Sequence, residues 1–253
     1  MRADQIALQL YTVRDRTATD FLGTLRALAA TGYTAVEFAG YGDVPVAEMR
    51  STLDELGMRA ISAHVPYDRF DREIDAVIEE LQTLGCSYAI VPYIGEEMRG
   101  DAAIVRRMAE NFNVWGERCR AASLTFGYHN HDFEFRPIEG EPGGKTIYDI
   151  LLAETDPASV TMELDIYWVL RGGEDALALL KREINRIPII HMKDLGPAPD
   201  HADLPVGAGT IDWAAIFAAG EDKIEWFIVE QDHSTDAMAD VAASLRAMES
   251  MAS

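Results

Sequence analysis

Residues 88–129 read YAIVPYIGEEMRGDAAIVRRMAENFNVWGERCRAASLTFGYH, and this stretch decides the fold. YAIVPY (88–93) and LTFGYH (124–129) are short, nearly unbroken apolar runs. A strand has that look when both of its faces are covered, as in a parallel sheet. Between them, residues 101–122 repeat apolar side chains at helical spacing, with Phe112 and Trp115 among the core positions. Strand, helix and strand in this order make a right-handed crossover joining two parallel strands.

The same unit recurs on both sides. Upstream lie the apolar runs IALQL (6–10), TAVEF (34–38) and RAISAH (59–64); downstream lie VTMELD (160–165), IPIIH (187–191) and EWFIVE (225–230). Helical patterns fill the gaps at 19–31, 46–57, 70–84, 145–155, 173–184, 211–220 and 236–249. In the first, Phe21, Leu25 and Leu28 share a face behind an N-cap at Thr19 or Asp20. Gly32, Gly57 and Gly85 close three of these helices. Eight strands in strict alternation with eight helices predict an α/β fold, a single (β/α)8 TIM barrel spanning 1–253 as one domain. The competing doubly wound sheet lacks its usual marker, because YTVRDR rather than a GxGxxG turn follows Leu10. The longest non-periodic stretch, 194–210, follows the seventh strand, where a barrel builds its active face.

Composition narrows the function. The chain carries 43 acidic against 22 basic residues, a net charge of −21. No excess of Lys or Arg exists to displace counterions, so neither a nucleic acid nor an anionic membrane is an expected partner. The 48% of hydrophobic residues support a packed core. Two cysteines, Cys86 and Cys119, supply neither a disulfide framework nor a thiolate zinc site. With no apolar leader at the N-terminus and no membrane-length apolar run, a cytoplasmic location is expected.

The chemistry collects where the strands end. His64 ends the third strand, His129 the fifth, Asp165 the sixth, His191 the seventh and Glu230 the eighth, with Glu37 near the end of the second. In a barrel these ends converge on one mouth. Imidazole and carboxylate donors without cysteine suit one divalent ion, Mn²⁺, Mg²⁺, Co²⁺ or Zn²⁺. Each residue also has a plainer role. Asp165 could cap a helix, His191 could be a satisfied core histidine, and Glu230 could pair with a lysine. By period two, His129 and His131 share a strand face, as two ligands or as a ligand and a base. Trp168 and Tyr167 either pack in a loop or wall a sugar ring, and Glu37 is an acid standing behind the ligands or a salt-bridge partner.

The segments ALQLYTVRD, TAVEFAGY, SAHVPY, GYHNHDFEF, ELDIYW, IIHMKD, VGAGTIDW and FIVEQD, in order from residue 7 to 232, resemble the xylose isomerase-like superfamily, in the branch of sugar phosphate isomerases and epimerases. The resemblance implies one divalent metal held by Asp165, His191, Glu230 and a fifth-strand residue, His129 by alignment. Ketose epimerases of that superfamily carry glutamate at the fifth-strand position, where it also acts as acid and base. Here His129 stands there, with His131 and Glu134 beyond it. Related abasic-DNA endonucleases use extra histidines for three zinc ions, but Trp168 occupies the place of a third-metal histidine and the charge opposes DNA.

The expected activity is therefore a metal-dependent isomerase or epimerase acting on a keto-sugar or related polyol through an enediolate. Glu230 and His131 are the candidate bases, Glu134 the third choice, and Lys193 stabilises developing charge. An unligated His131 is expected to titrate near about 6.5. His64, Glu37, Trp168 and Glu134 are expected against the substrate. Two alternatives stand beside this one: a dehydratase or lyase of an inosose or 3-keto-glycoside, favoured by the histidine-rich fifth strand, and a non-catalytic sugar-binding barrel. A small sugar is the expected partner, and a homodimer is compatible with the sequence.

Overall fold

The computed structural model describes residues 1–220 and 223–252. Positions 221, 222 and 253 of the expected domain lie outside the described residues. The eight apolar runs form eight parallel barrel strands: β1 (Ile6–Gln9), β2 (Ala35–Phe38), β3 (Arg59–His64), β4 (Tyr88–Val91), β5 (Thr125–His129), β6 (Val160–Asp165), β7 (Ile189–Met192) and β8 (Trp226–Val229). Each pairs with its neighbours in sequence and β1 pairs with β8, so the sheet closes on itself. The expected (β/α)8 barrel is what forms.

Local chemistry sets the helix ends. Phe21–Thr31 begins at Asp20, whose side chain accepts the Gly23 N–H, and stops at Gly32 with φ +117°, a conformation that disfavours side chains. The 101–122 pattern is the helix Ala102–Ala121, capped by Asp101, and both Phe112 and Trp115 are buried.

Apolar packing lies in two places. Leu25, Leu28, Phe70, Phe112 and Phe126 belong to the shell between strands and helices. Ala7, Ala35, Ile61, Tyr88, Ile90, Ile189 and Ile228 form a second, interior cluster. Side chains alternate along a strand, so positions two further on face inward again. Those positions are Gln9 after Ala7, Glu37 after Ala35, His191 after Ile189 and Glu230 after Ile228. The barrel is thus plugged by hydrocarbon below and polar at its carboxyl end.

Two features were not legible as periodic elements. Within 194–210 a short antiparallel ribbon pairs Asp194–Leu195 with Asp203–Leu204. Buried Asp194 organises this loop by accepting from the backbone N–H of Leu195, Gly207 and Ile211 and from Trp213 Nε1. A six-residue helix, Ile166–Arg171, follows β6 directly and is too short to show a repeat. Among the described residues, no helix is long and apolar enough to cross a membrane.

Candidate metal centre

His129, Asp165, His191 and Glu230 offer donor atoms that all lie within 4.8 Å of one another. The strand register accounts for part of this, because Asp165 is paired with His191 across β6 and β7. All four residues are buried. His191 Nδ1 is 2.8 Å from Glu230 Oε2, and His129 Nε2 is 3.9 Å from Asp165 Oδ2. Of the two histidines after the fifth strand, His129 joins this group and His131 does not.

Asp165 caps a helix with one carboxylate oxygen and turns the other toward the cluster. Its Oδ1 accepts the Trp168 N–H at 2.9 Å and so caps the helix Ile166–Arg171. Its Oδ2 is buried without a hydrogen bond and has the Lys193 ammonium 3.0 Å away. Asn130 fixes the backbone here, accepting from Asp165 N at 3.0 Å and donating to Asp165 O at 3.3 Å. Sequence reading passed over Asn130 as pointing away.

Lys193 Nζ also lies 2.9 Å from Glu230 Oε2 and 2.9 Å from Asp232 Oδ2. Burial opposes its charge, but Asp165, Glu230 and Asp232 overcome that and hold it well above the usual lysine range. Glu230 is driven the other way: burial disfavours its charge, and Lys193 with His191 holds it well below the ordinary carboxyl value. Burial pushes Asp165 up to about 6 against the pull of Lys193. This is a pocket that demands positive charge. A mixed imidazole and carboxylate set, with an ammonium already held between buried Asp165 and Glu230, fits a divalent ion.

A second layer lies beside these donors, and half of it escaped the sequence reading. Glu163 is paired with His129 across β5 and β6 and is completely enclosed. Its Oε2 is 2.7 Å from His64 Nε2, 2.9 Å from His129 Nδ1 and 3.1 Å from His191 Nε2. The signal was present in MELD, where Glu163 precedes Asp165 by two and so shares its face. Glu37 Oε1 receives Gln9 Nε2 and His191 Nε2, both at 2.7 Å, and its Oε2 receives Ser62 Oγ at 2.6 Å. Burial, then repulsion from Glu163, raises the Glu37 carboxyl. Glu37 was expected against substrate; it is instead sealed in the barrel interior, because its strand position faces inward and its neighbours close over it.

A cavity of about 650 Å³ opens at this mouth. His64, His129, His131, Lys193, Glu230 and Asp232 contribute to its wall, as do Tyr11, Tyr41 and Tyr93. Asp232, Tyr41 and Tyr93 sit on loops and Tyr11 in the short 3-10 turn Leu10–Val13, where no periodicity marks them. His64 faces the cavity as expected, but Trp168 and Glu134 are not among the lining residues. The Trp168 ring backs the wall, centred 5.3 Å from the His131 ring and 5.4 Å from Lys193 Nζ. Glu134 is buried beneath, receiving His131 N at 2.8 Å and Tyr128 OH at 2.6 Å. Those bonds take it out of reach of a substrate, which removes it as the third-choice base. Burial raises its pKa to about 7.

His131 lies past the end of β5, with its ring centred 5.1 Å from that of His129, and its Nδ1 has no partner. Burial, with His129 and Lys193 nearby, holds it well below the ordinary histidine value rather than near it. His129 is likewise pushed down to about 3 by burial and by His191. Both rings are therefore neutral in the neutral pH range.

A closed (β/α)8 barrel with a His/Asp/Glu cluster at the carboxyl ends of its strands is the class of protein that fold and site define. The chain belongs to the xylose isomerase-like TIM barrel family, whose model matches residues 25–251. A protein named inosose dehydratase from Geobacillus kaustophilus (strain HTA426) is 28% identical over 251 residues, covering 82% of this chain and 79% of that one. Among solved structures, a sugar phosphate isomerase/epimerase from Parabacteroides distasonis ATCC 8503 superposes with a TM-score of 0.81 at 24% identity, covering 95% and 96% of the two chains. The IOLI protein with a bound zinc atom superposes with a TM-score of 0.74 at 13% identity, covering 98% of each. At these identities the structural likeness speaks for the fold.

Proposed function

We propose that this protein is a divalent-metal-dependent dehydratase acting on an inosose or a similar keto-sugar. The observation that carries the reading is the company around one cavity: four buried metal-type donors, an ammonium that can only donate, and a histidine with an unclaimed nitrogen. The relative named inosose dehydratase supports it, and it takes precedence over the isomerase or epimerase expected first.

Asp165, Glu230, His191 and His129 would hold the ion, which supplies binding for the substrate carbonyl and stabilisation of negative charge on its oxygen. His131 takes the proton from the carbon beside that carbonyl, as a neutral imidazole can. Lys193 gives a proton to the hydroxyl leaving the next carbon, so one water departs and a carbon–carbon double bond remains. The proton on His131 returns to Lys193 through solvent, and both groups are reset. Tyr11, Tyr41 and Tyr93 present rings to the rest of the substrate.

Isomerisation or epimerisation is the second reading. His64 reaches the cavity from β3 and Glu230 from the end of β8. Adding and removing a proton on opposite faces of one carbon needs two acid–base groups, and these two are candidates within the one cavity. The test is proton NMR in D₂O of the metal-loaded protein with inososes, ketoses and 3-keto-glycosides. Net loss of water supports the dehydratase. Deuterium at one carbon without water loss assigns the isomerase or epimerase. No conversion and no bound metal would leave a sugar-binding barrel.

A further inference from the structure

Each of two donor histidines has one nitrogen in the metal-type cluster and the other in the layer around Glu163. His129 turns Nε2 toward Asp165 and Nδ1 toward Glu163; His191 turns Nδ1 toward Glu230 and Nε2 toward Glu37 and Glu163. We propose that Glu163 is a positioning residue: its buried carboxylate takes the Nδ1–H of His129, fixes that tautomer, and so keeps the Nε2 lone pair of His129 aimed at the ion. The proposal rests on the reading of His129, Asp165, His191 and Glu230 as one metal site.

The physical argument is about tautomers. A neutral imidazole carries one N–H, and whichever nitrogen holds it cannot be a ligand. In water the two tautomers interchange, and half-committed ligands weaken a site. A carboxylate behind the ring ends that freedom and makes the ligating nitrogen more basic. Glu163 can do this because it is fully enclosed and paired in register with His129. Its Oε1 makes no hydrogen bond among the described residues. His64 gives the same oxygen a further N–H at 2.7 Å, which steadies the carboxylate in turn.

A rival reading makes His64, His129, Glu163 and His191 a second ion site, since their donor atoms also cluster within 4.8 Å. The distances oppose it. Glu163 Oε2 meets the three imidazoles at 2.7, 2.9 and 3.1 Å, and the His64 and His191 nitrogens that face it also lie 3.2 and 2.7 Å from Glu37 Oε1. Those are hydrogen-bond lengths. An ion there would also need His129 to bridge two cations, stripped of both ring protons.

Zn²⁺ titration of metal-stripped wild type and Glu163→Gln, with melting curves of both metal-free proteins, tests this. Expected are one ion per wild-type chain and an affinity about 10–100-fold weaker in the folded variant. A purely structural Glu163 would shift the metal-free melting curve and leave the Zn²⁺ affinity of the folded protein unchanged, which would overturn the proposal. So would two ions per wild-type chain with one lost in the variant. Should the variant not fold, ¹⁵N-histidine NMR of zinc-loaded wild type decides. Ligation through Nε2 with a slowly exchanging Nδ1–H on His129 supports the proposal, and ligation through Nδ1 sinks it. A wild type that takes up no Zn²⁺ would refute the metal site itself, a failure distinct from these.

Discussion

Replacing Lys193 by methionine keeps an unbranched side chain, one atom shorter, and removes the one ammonium among three carboxylates. Asp165, Glu230 and Asp232 lie 3.0, 2.9 and 2.9 Å from its nitrogen, and Lys193 is only 1% exposed. Deleting one partner of a buried charge pair costs about 3–5 kcal/mol, because the other partner stays buried and uncompensated. For a chain of this size each kcal/mol moves the melting temperature by about 2–4 °C. The metal-free variant should therefore melt about 6–20 °C below metal-free wild type. The deficit should grow with pH. Without Lys193, Asp165, already raised to about 6 by burial, rises further above its unfolded value, and a group so raised loses stability as pH climbs through its folded pKa. A divalent ion restores the missing positive charge, so added Mn²⁺ should stabilise the variant more than it stabilises wild type. Scanning calorimetry with and without Mn²⁺ at pH 6 and 8 reads all three effects. A metal-free variant that melts with wild type, or one that binds Mn²⁺ more weakly, would refute the claim that Lys193 and the ion answer the same charge.

Asp165→Asn keeps an N-cap for the helix Ile166–Arg171 and loses a charged donor, so Mn²⁺ affinity and turnover should fall together; retention of both would reassign Asp165. Glu134 has its pKa raised from 4.5 to about 7 by burial, so it stabilises the fold fully below about 4.5 and loses about 3 kcal/mol as pH rises through 7. Glu134→Gln should flatten that part of the stability profile in chemical denaturation, and an unchanged slope would count against it. His131→Gln should cut kcat far more than metal content, whereas a loss of metal in proportion to activity would make His131 a ligand. Gly116→Ala would drive a methyl group into the Ser159 carbonyl, where helix Ala102–Ala121 meets the start of β6, and should destabilise by about 1–3 kcal/mol with Mn²⁺ affinity intact.

The barrel was legible because its strands are buried on both faces, which makes YAIVPY or EWFIVE stand out as apolar blocks, and because helix ends carry their own markers, as at Asp20 and Gly32. The cluster His129, Asp165, His191 and Glu230 was legible because each residue ends an apolar strand, where a polar group needs a reason. Residues inside strands were harder. Gln9, Ser62 and Glu163 interrupt apolar runs one at a time, and only the closure of the sheet shows that they face one interior. Glu37 and Glu134 were seen but misplaced, since sequence gives the side of a strand more readily than the depth along the barrel. The cavity tyrosines and Asp232 lie on loops or, for Tyr11, in a single 3-10 turn, and their meeting is settled by tertiary packing and not by any local repeat.

The central claim is a single divalent ion at the carboxyl end of the barrel, and anomalous diffraction from crystals of the Mn²⁺-loaded protein tests it most directly. The account predicts one peak per chain, bounded by His129 Nε2, Asp165 Oδ2, His191 Nδ1 and a Glu230 oxygen, with Lys193 withdrawn toward Asp232. A peak between His64 and Glu163, or no peak within the barrel mouth, would contradict it.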